Sequence, residues 1–141
     1  MNYLDSDVLL LKSTLKQIGF KDPKIEEDIF EYNEIYLTEN GAIRLFFDTL
    51  EKHLNVLLIK LTDGQLPHKH DKEFSVLINF YIDAIDPKID ITKTAIKEDS
   101  GSLYIAELCG VLNNKKEEFL NIKTSAFNKA RNLRDDYFKN L

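Results

Sequence analysis

Apolar positions recur along this chain with two different periods, and the switches between them predict its elements. Near the start, Val8, Leu11, Leu15 and Ile18 repeat every three to four residues, the spacing of one helical face. Asp5 to Asp7 can cap an N-terminus, so the pattern predicts a helix over 5–19. Gly19 suits the left-handed position that closes a helix, and Phe20 can fold back onto its last turn. Leu9 and Leu10 lie off the stripe, which makes this helix more apolar than a surface helix needs.

Residues 29–61 satisfy both periods. Read as strands, Ile35 and Leu37 alternate, Asn40-Gly41 follows, and Ile43, Leu45 and Phe47 alternate in turn. Asn-Gly between such runs is a hairpin signal, because both turn positions want positive φ. "LNVLLIKL" then makes a third strand that ends at Asp63-Gly64. Read as helix, Ile43, Phe46, Phe47, Leu50, Leu54, Leu57, Leu58 and Leu61 share a stripe, and Asp22-Pro23 can open a helix through Ile29, Tyr32 and Tyr36. The hairpin signal favours strands.

Residues 71–86 predict a helix, with Phe74, Leu77, Ile78, Tyr81 and Ile85 facing the core and Pro87 ending it. Val76 and Phe80 form a second ridge, as expected of a helix that meets a partner or is buried on several sides. Residues 90–112 read as a second hairpin around "KEDSGS", although Ala106, Glu107 and Gly110 are poor strand residues. Residues 115–141 predict one long helix, capped by Asn113 or Asn114, with Phe119, Ile122, Ala126, Ala130, Leu133 and Tyr137 on one face. The expected architecture is one α+β domain over 1–141. Its order is helix, three strands, helix, two strands, helix, with an antiparallel sheet packed by helices. The alternative is an all-α bundle.

Charge and residue usage narrow the chemistry. A net charge of −5 opposes phosphate binding, and the basic residues are scattered apart from Lys123, Lys129, Arg131 and Arg134. "IAELCGVLNN" has the look of a helix-turn-helix opening, but Glu117 and Glu118 follow where such a helix would approach phosphates. Nucleic acid is therefore an unfavoured partner. A single cysteine, Cys109, allows no internal disulfide and suits a reducing cytoplasm. The acidic N-terminus lacks a signal-peptide pattern and no apolar run is long enough for a membrane span. The expectation is a soluble cytoplasmic protein with no membrane association.

"LPHKHDKEF" raises the question of a metal site. His68 and His70 are two apart, a spacing that shares a face on a strand but not on a helix, where metal pairs stand at i and i+4. Asp71 is a natural N-cap for the helix that follows, and nothing ties His53 to the pair. The stretch reads as a solvated loop, with no metal and no cofactor. Cys109, in an apolar segment, reads as a small hydrophobe, and Glu26-Glu27 and Asp135-Asp136 read as solvated carboxylates. The chain contains no G-x-S-x-G, P-loop or G-x-G-x-x-G pattern, so the expectation is a protein that is not an enzyme.

The order of elements resembles the type III secretion chaperones and the related YbjN-like proteins. "LLKSTLKQIGF" looks like their first helix, "ENGAIRLFF" like their first hairpin, and "DGQLPHKHDKEFSVLINFYIDA" like their strand end, loop and second helix. "IKEDSGSLYIAEL" looks like their last hairpin and "FNKARNLRDDYFKNL" like their closing helix. The chain departs from them in a long polar linker over 86–97 and in a strand over 102–112 poor in β-branched residues. The resemblance implies a homodimer that holds an extended segment of a client protein. Leu9, Leu10 and Phe46 are the expected client contacts, and Val76 and Phe80 the expected dimer contacts. A regulator on the same fold, a toxin-neutralising immunity protein and a helical DNA-binding regulator are the alternatives.

Overall fold

The computed structural model describes residues 4–50, 53–68, 71–89, 91 and 101–141. It is an α+β protein, as the hydrophobic pattern predicts, but the elements fall in a different order. Helix α1 (Asp5–Ile18) leads into five strands, β1 (Lys24–Glu27), β2 (Glu31–Leu37), β3 (Gly41–Asp48), β4 (His53–Lys60) and β5 (Ser75–Leu77). Helices α2 (Ile78–Ile85), α3 (Gly101–Asn114), α4 (Lys116–Leu120) and α5 (Thr124–Lys139) follow. The strands form one antiparallel sheet in chain order, β1 to β5.

Helix α1 forms where the pattern predicts it, and Val8, Leu11, Leu15 and Ile18 are buried. Its N-cap is Leu4 rather than an aspartate, and the Asp7 carboxylate accepts the Leu4 amide at 3.2 Å. Gly19 takes φ +123°, and the Phe20 amide reaches back to the Leu15 carbonyl at 3.0 Å, closing the helix as expected.

The strand reading of the middle holds, with three corrections. First, segment 24–27, which the strand reading left out and the rival reading made the start of a helix, is a strand paired with β2. Asp28 makes its turn, accepting the amides of Phe30 and Glu31 at 2.9 and 3.0 Å. Second, the positive-φ turn lies elsewhere. Asp63 (φ 51°) and Gly64 (φ 76°) take that geometry between Thr62 and Gln65, which exchange both backbone bonds. At the β2–β3 turn, Thr38 bonds Gly41 and the two loop residues are Glu39 and Asn40. Gly41 is needed for close approach: a Cβ there would stand 2.1 Å from Ile122 Cδ1 and 2.9 Å from the Ile59 carbonyl oxygen. Third, the helix expected over 71–86 begins only at Ile78, because Ser75–Leu77 joins the sheet with Val76 opposite Leu58. Asp71 is not its N-cap; it accepts the Glu73 amide in the preceding turn.

The second hairpin is absent from the described part of 90–112. Residues 101–114 are helix α3; residues 90 and 92–100, including most of the turn expected there, lie outside the described residues. Tyr104, Ile105, Leu108, Cys109, Val111 and Leu112 are buried, and Ala106, Glu107 and Gly110 lie on the solvent side, a helical pattern. The closing helix is also broken. Asn121 is extended between α4 and α5, where the Asn40 side chain holds it. Asn40 donates to Asn121 Oδ1 at 2.9 Å and to the Ile122 carbonyl at 2.8 Å, and accepts the Ile122 amide at 3.0 Å.

One face of the sheet carries the main core. Tyr36, Ile43, Leu45, Phe47, Leu54, Val56, Leu58 and Val76 pack there with buried residues from all five described helices. The other face holds a small cluster of Ile35, Ala42 and Ile59, packed against Leu37 and against Leu66 from the loop after β4. In the helical layer α1 lies against α3, with the Ser102 hydroxyl on Asp7 at 2.8 Å. Helix α2 lies against α5, with Phe80 and Tyr137 ring centroids 5.8 Å apart.

Candidate functional site: a groove between the first helix and the sheet edge

Strand β1 is the outer edge of the sheet, and all four of its residues are exposed. The Asp28–Glu31 backbone pair sets the alternation of this ladder, so Glu26 and Lys24 bond to β2. The amides and carbonyls of Ile25 and Glu27 therefore point outward, and among the described residues no strand pairs with them. The side chains of Ile25 and Glu27 share the helix-side face with their partners Glu34 and Tyr32.

Inside this edge, between α1 and strands β2 and β3, runs a groove made of two clefts. One, about 400 Å³, is lined by Val8, Leu9, Lys12, Tyr32, Glu34 and Phe47 among others. The second, about 370 Å³, continues along α1 past Ser13 and Lys16 to Pro23 and Tyr36. Leu9, Lys12 and Glu34 line both. Leu9 is 64% exposed on the rim, and Ile25 (47%), Phe30 (60%) and Leu50 (73%) extend the apolar surface at the same end of the sheet.

Glu34 is a carboxylate in the floor, with a side chain only 4% exposed. Its Oε1 accepts the Tyr36 hydroxyl at 3.0 Å, and its Oε2 stands 2.5 Å from Lys12 Nζ. That ammonium neutralises the buried charge without an aligned hydrogen bond to Oε2. Burial raises the Tyr36 phenol well above its ordinary range, and the negative charge of Glu34 adds to the shift. Tyr32 is raised for the same two reasons in the same order. Neither phenol is set up as an acid at neutral pH.

The expected contact residues separate. Leu9 lies in the groove. Leu10 is exposed on the flank of α1 shared by Thr14, which faces Cys109 of α3, and it lines neither cleft. Phe46 lies on the opposite face of the sheet, half-buried, with the Arg44 guanidinium 5.4 Å from its ring centroid. One segment in the groove cannot touch Leu9 and Phe46 together. Val76 is a core residue, 1% exposed opposite Leu58. Phe80 is half-buried beside Tyr137 and Phe138, at a cleft of about 570 Å³ along β5. There Arg134 donates to the carbonyls of Lys72 and Ser75 at 2.6 and 2.9 Å, tying α5 to the far edge of the sheet.

Of the histidines, His53 opens β4, His68 is exposed in the loop, and His70 lies outside the described residues. Among the described residues no three His, Cys, Asp or Glu side chains gather as a metal would require. Burial pushes the Cys109 thiol up, partly opposed by a hydrogen bond with Thr14, so it stays protonated and inert at neutral pH. Among the described residues no helix is long and apolar enough to cross a membrane.

Sequence reasoning found Leu9 as surplus apolar surface but missed Glu34 and the outward edge of β1. Comparison with family models, with curated proteins and with solved structures gives no match to this chain.

Proposed function

We propose that this protein is a non-enzymatic binding module that takes an extended segment of a partner protein along β1 and into the groove beside α1. The observation that carries this reading is the outward backbone of Ile25 and Glu27 next to an apolar-rimmed cleft. An added strand gains main-chain bonds from the edge and seats alternate side chains in the groove. This is the mode that the secretion-chaperone resemblance implies, and it draws support from the first half of the chain, where helix, glycine cap and strand meander follow in the expected order. The closing half, helical where a hairpin was expected, lends the resemblance no support. Short, charged edge strands also guard proteins against aggregation, and the Lys24–Glu26 pair at 3.3 Å fits that bland role.

Two substitutions separate these roles. Ile25→Pro removes an outward N–H and leaves the bonds to β2 in place. Leu9→Asp changes an exposed side chain on the groove rim. Affinity capture from the source organism is run with both variants and wild type, and hydrogen exchange then maps the captured partner. The expected result is a partner held by wild type through one short protected segment and lost by both variants. A partner that binds both variants as well as wild type would refute the groove. A compact partner that tolerates Ile25→Pro but not the loss of acidic side chains would point to the immunity-protein alternative. The homodimer is a separate proposal, resting on the half-exposed Phe80, Tyr137 and Phe138 rings, and sedimentation of Phe138→Asp against wild type tests it.

A further inference from the structure

Strand β1 is short, exposed along its whole length, and reads Lys-Ile-Glu-Glu. Laid antiparallel on a second copy of itself, it can adopt only certain registers. Residues whose backbone groups point at a partner strand must stand opposite one another. On the free side of β1 those residues are Ile25 and Glu27, because Lys24 and Glu26 bond to β2.

The symmetric registers that satisfy this rule differ in charge. With Glu27 opposite its own copy, two carboxylates oppose each other and Glu26 falls opposite Asp28. With Ile25 opposite Glu27, Glu26 stands against Glu26. With Ile25 opposite Ile25, Lys24 of each copy stands opposite Glu26 of the other. Like charges directly opposite destabilise a strand pair, whereas opposite charges and apolar pairs stabilise it. Only the Ile25-centred register is complementary. Its Lys24 and Glu26 positions are the non-hydrogen-bonded kind, where side chains come closest, at Cα separations of about 4.5 Å. Within one copy Lys24 and Glu26 already touch at 3.3 Å, but with side chains 56% and 44% exposed they are held loosely and can exchange partners at little cost. Ile25, 47% exposed, is the apolar residue of the strand and gains cover from its own copy.

We propose that β1 pairs with β1 of a second copy of this chain, antiparallel about a two-fold axis at Ile25, joining the two sheets into one. The two Ile25 residues exchange both backbone bonds and their side chains meet on the helix-side face. Two Lys24–Glu26 pairs form on the opposite face. Each Glu27 amide can reach the Pro23 carbonyl of the other copy, but Pro23 has no N–H to return. The ladder stops there, so the dimer is weak and depends on concentration. This interface is separate from the aromatic patch of Phe80, Tyr137 and Phe138, which lies beside β5 at the far edge of the sheet. Self-pairing goes beyond the client reading and does not depend on it. The two meet at one point: a client segment would take the same outward groups, so it would compete with the second copy.

Sedimentation velocity over a wide range of protein concentration tests the pairing, with circular dichroism to check that each variant is folded. Wild type is expected to pass from monomer to dimer as concentration rises, and Ile25→Pro, which removes the central N–H, to stay monomeric. Lys24→Glu and Glu26→Lys each set like charges opposite one another and should raise the dissociation constant roughly tenfold. Mixing them is the decisive step. One variant carries two acidic side chains at these positions and the other two lysines, so the equimolar mixture restores both pairs and dimerises better than either variant alone. The double variant Lys24→Glu, Glu26→Lys should likewise recover the wild-type dimer. Wild type that stays monomeric at every concentration would overturn the self-pairing and leave the client edge standing. A dimer that tolerates Ile25→Pro and both charge changes but is lost on Phe138→Asp belongs to the aromatic patch and would also overturn it. Charge variants that do not recover on mixing would overturn the register, and the proposal with it.

Discussion

Replacing Gly41 by alanine tests why an Asn-Gly pair stands at the β2–β3 turn. If glycine were there for its backbone, alanine would strain the turn; but Gly41 does not adopt positive φ. Reduced freedom of the unfolded chain would then favour alanine by about 0.4–1 kcal/mol. Packing opposes it. The new Cβ would lie 2.1 Å from Ile122 Cδ1 and 2.9 Å from the Ile59 carbonyl oxygen. Ile122 is 2% exposed and Ile59 is fixed in the ladder with β3, so neither yields freely. Overpacking of this kind costs about 1–3 kcal/mol, so the net expectation is a loss of about 1–2 kcal/mol, or roughly 3–8 °C in Tm for a chain this size. Ile122→Val alone costs about 0.5–1.5 kcal/mol by removing one buried methyl. In the double variant the alanine Cβ takes the space left by Cδ1, so the two losses fall short of adding by about 1 kcal/mol. Urea unfolding followed by circular dichroism measures all four proteins, with an unchanged m-value as the control for two-state behaviour. A Gly41→Ala protein as stable as wild type, or losses that simply add, would refute the packing account.

Asn40→Ala removes three hydrogen bonds that clamp the break between α4 and α5 and is expected to cost about 1–3 kcal/mol, with Asn40→Asp, which keeps the acceptor, costing less in the same urea assay. Tyr36, Tyr81 and Tyr104 are each raised above the ordinary phenol range, mainly by burial. The folded state therefore holds these protons more tightly than the unfolded state. Their contribution is fully present below pH about 10 and is lost above it, at about 4 kcal/mol per pH unit for the three together. Phenolate absorbance and circular dichroism should therefore change together in alkali; phenolate signal from all three without unfolding would contradict the burial. Cys109 should react with a thiol reagent only as the protein unfolds, since it is buried and its thiol is held protonated.

The elements legible in the sequence were those whose own side chains decide them. Helix α1 carries its stripe, its glycine and its Phe20 within sixteen consecutive residues, Asp5 to Phe20. Strands β3 and β4 alternate because one face of each meets the main core, whereas the Ile35 and Leu37 alternation of β2 marks the small cluster on the other face. The misread elements depend on neighbours. Strand β1 has one apolar residue in four and exists because β2 is beside it. Strand β5 is three residues whose Leu77 continues into the stripe of α2, so the helical period runs through it. In 101–114 the strand reading treats Ala106, Glu107 and Gly110 as flaws, whereas on a helix they are the solvent face. The site shows the same divide. Leu9 is visible as an apolar residue off the stripe. Glu34 is not, because a carboxylate between Asn33 and Ile35 reads as a solvent-facing position. Only the fold brings Lys12 to it and closes the floor with Tyr36.

Whether the Lys12–Glu34 pair serves the fold or the proposed binding is measurable. A buried ion pair repays its desolvation poorly, and exchange for apolar residues of similar size is often neutral or stabilising. Val8, Tyr32 and Phe47 line the cleft around this pair, with Leu9 on its rim and Asp5 and Thr49 beside them. A Lys12→Met, Glu34→Leu protein should therefore fold with stability within about 1 kcal/mol of wild type or above it. Lys12→Met alone leaves a carboxylate without its cation and should cost more, about 1–3 kcal/mol given the partial exposure of Lys12. If the pair served the fold, the double variant would unfold at lower urea than wild type and still bind its ligands. If the pair is kept for recognition, the double variant is at least as stable and loses the partner captured by wild type.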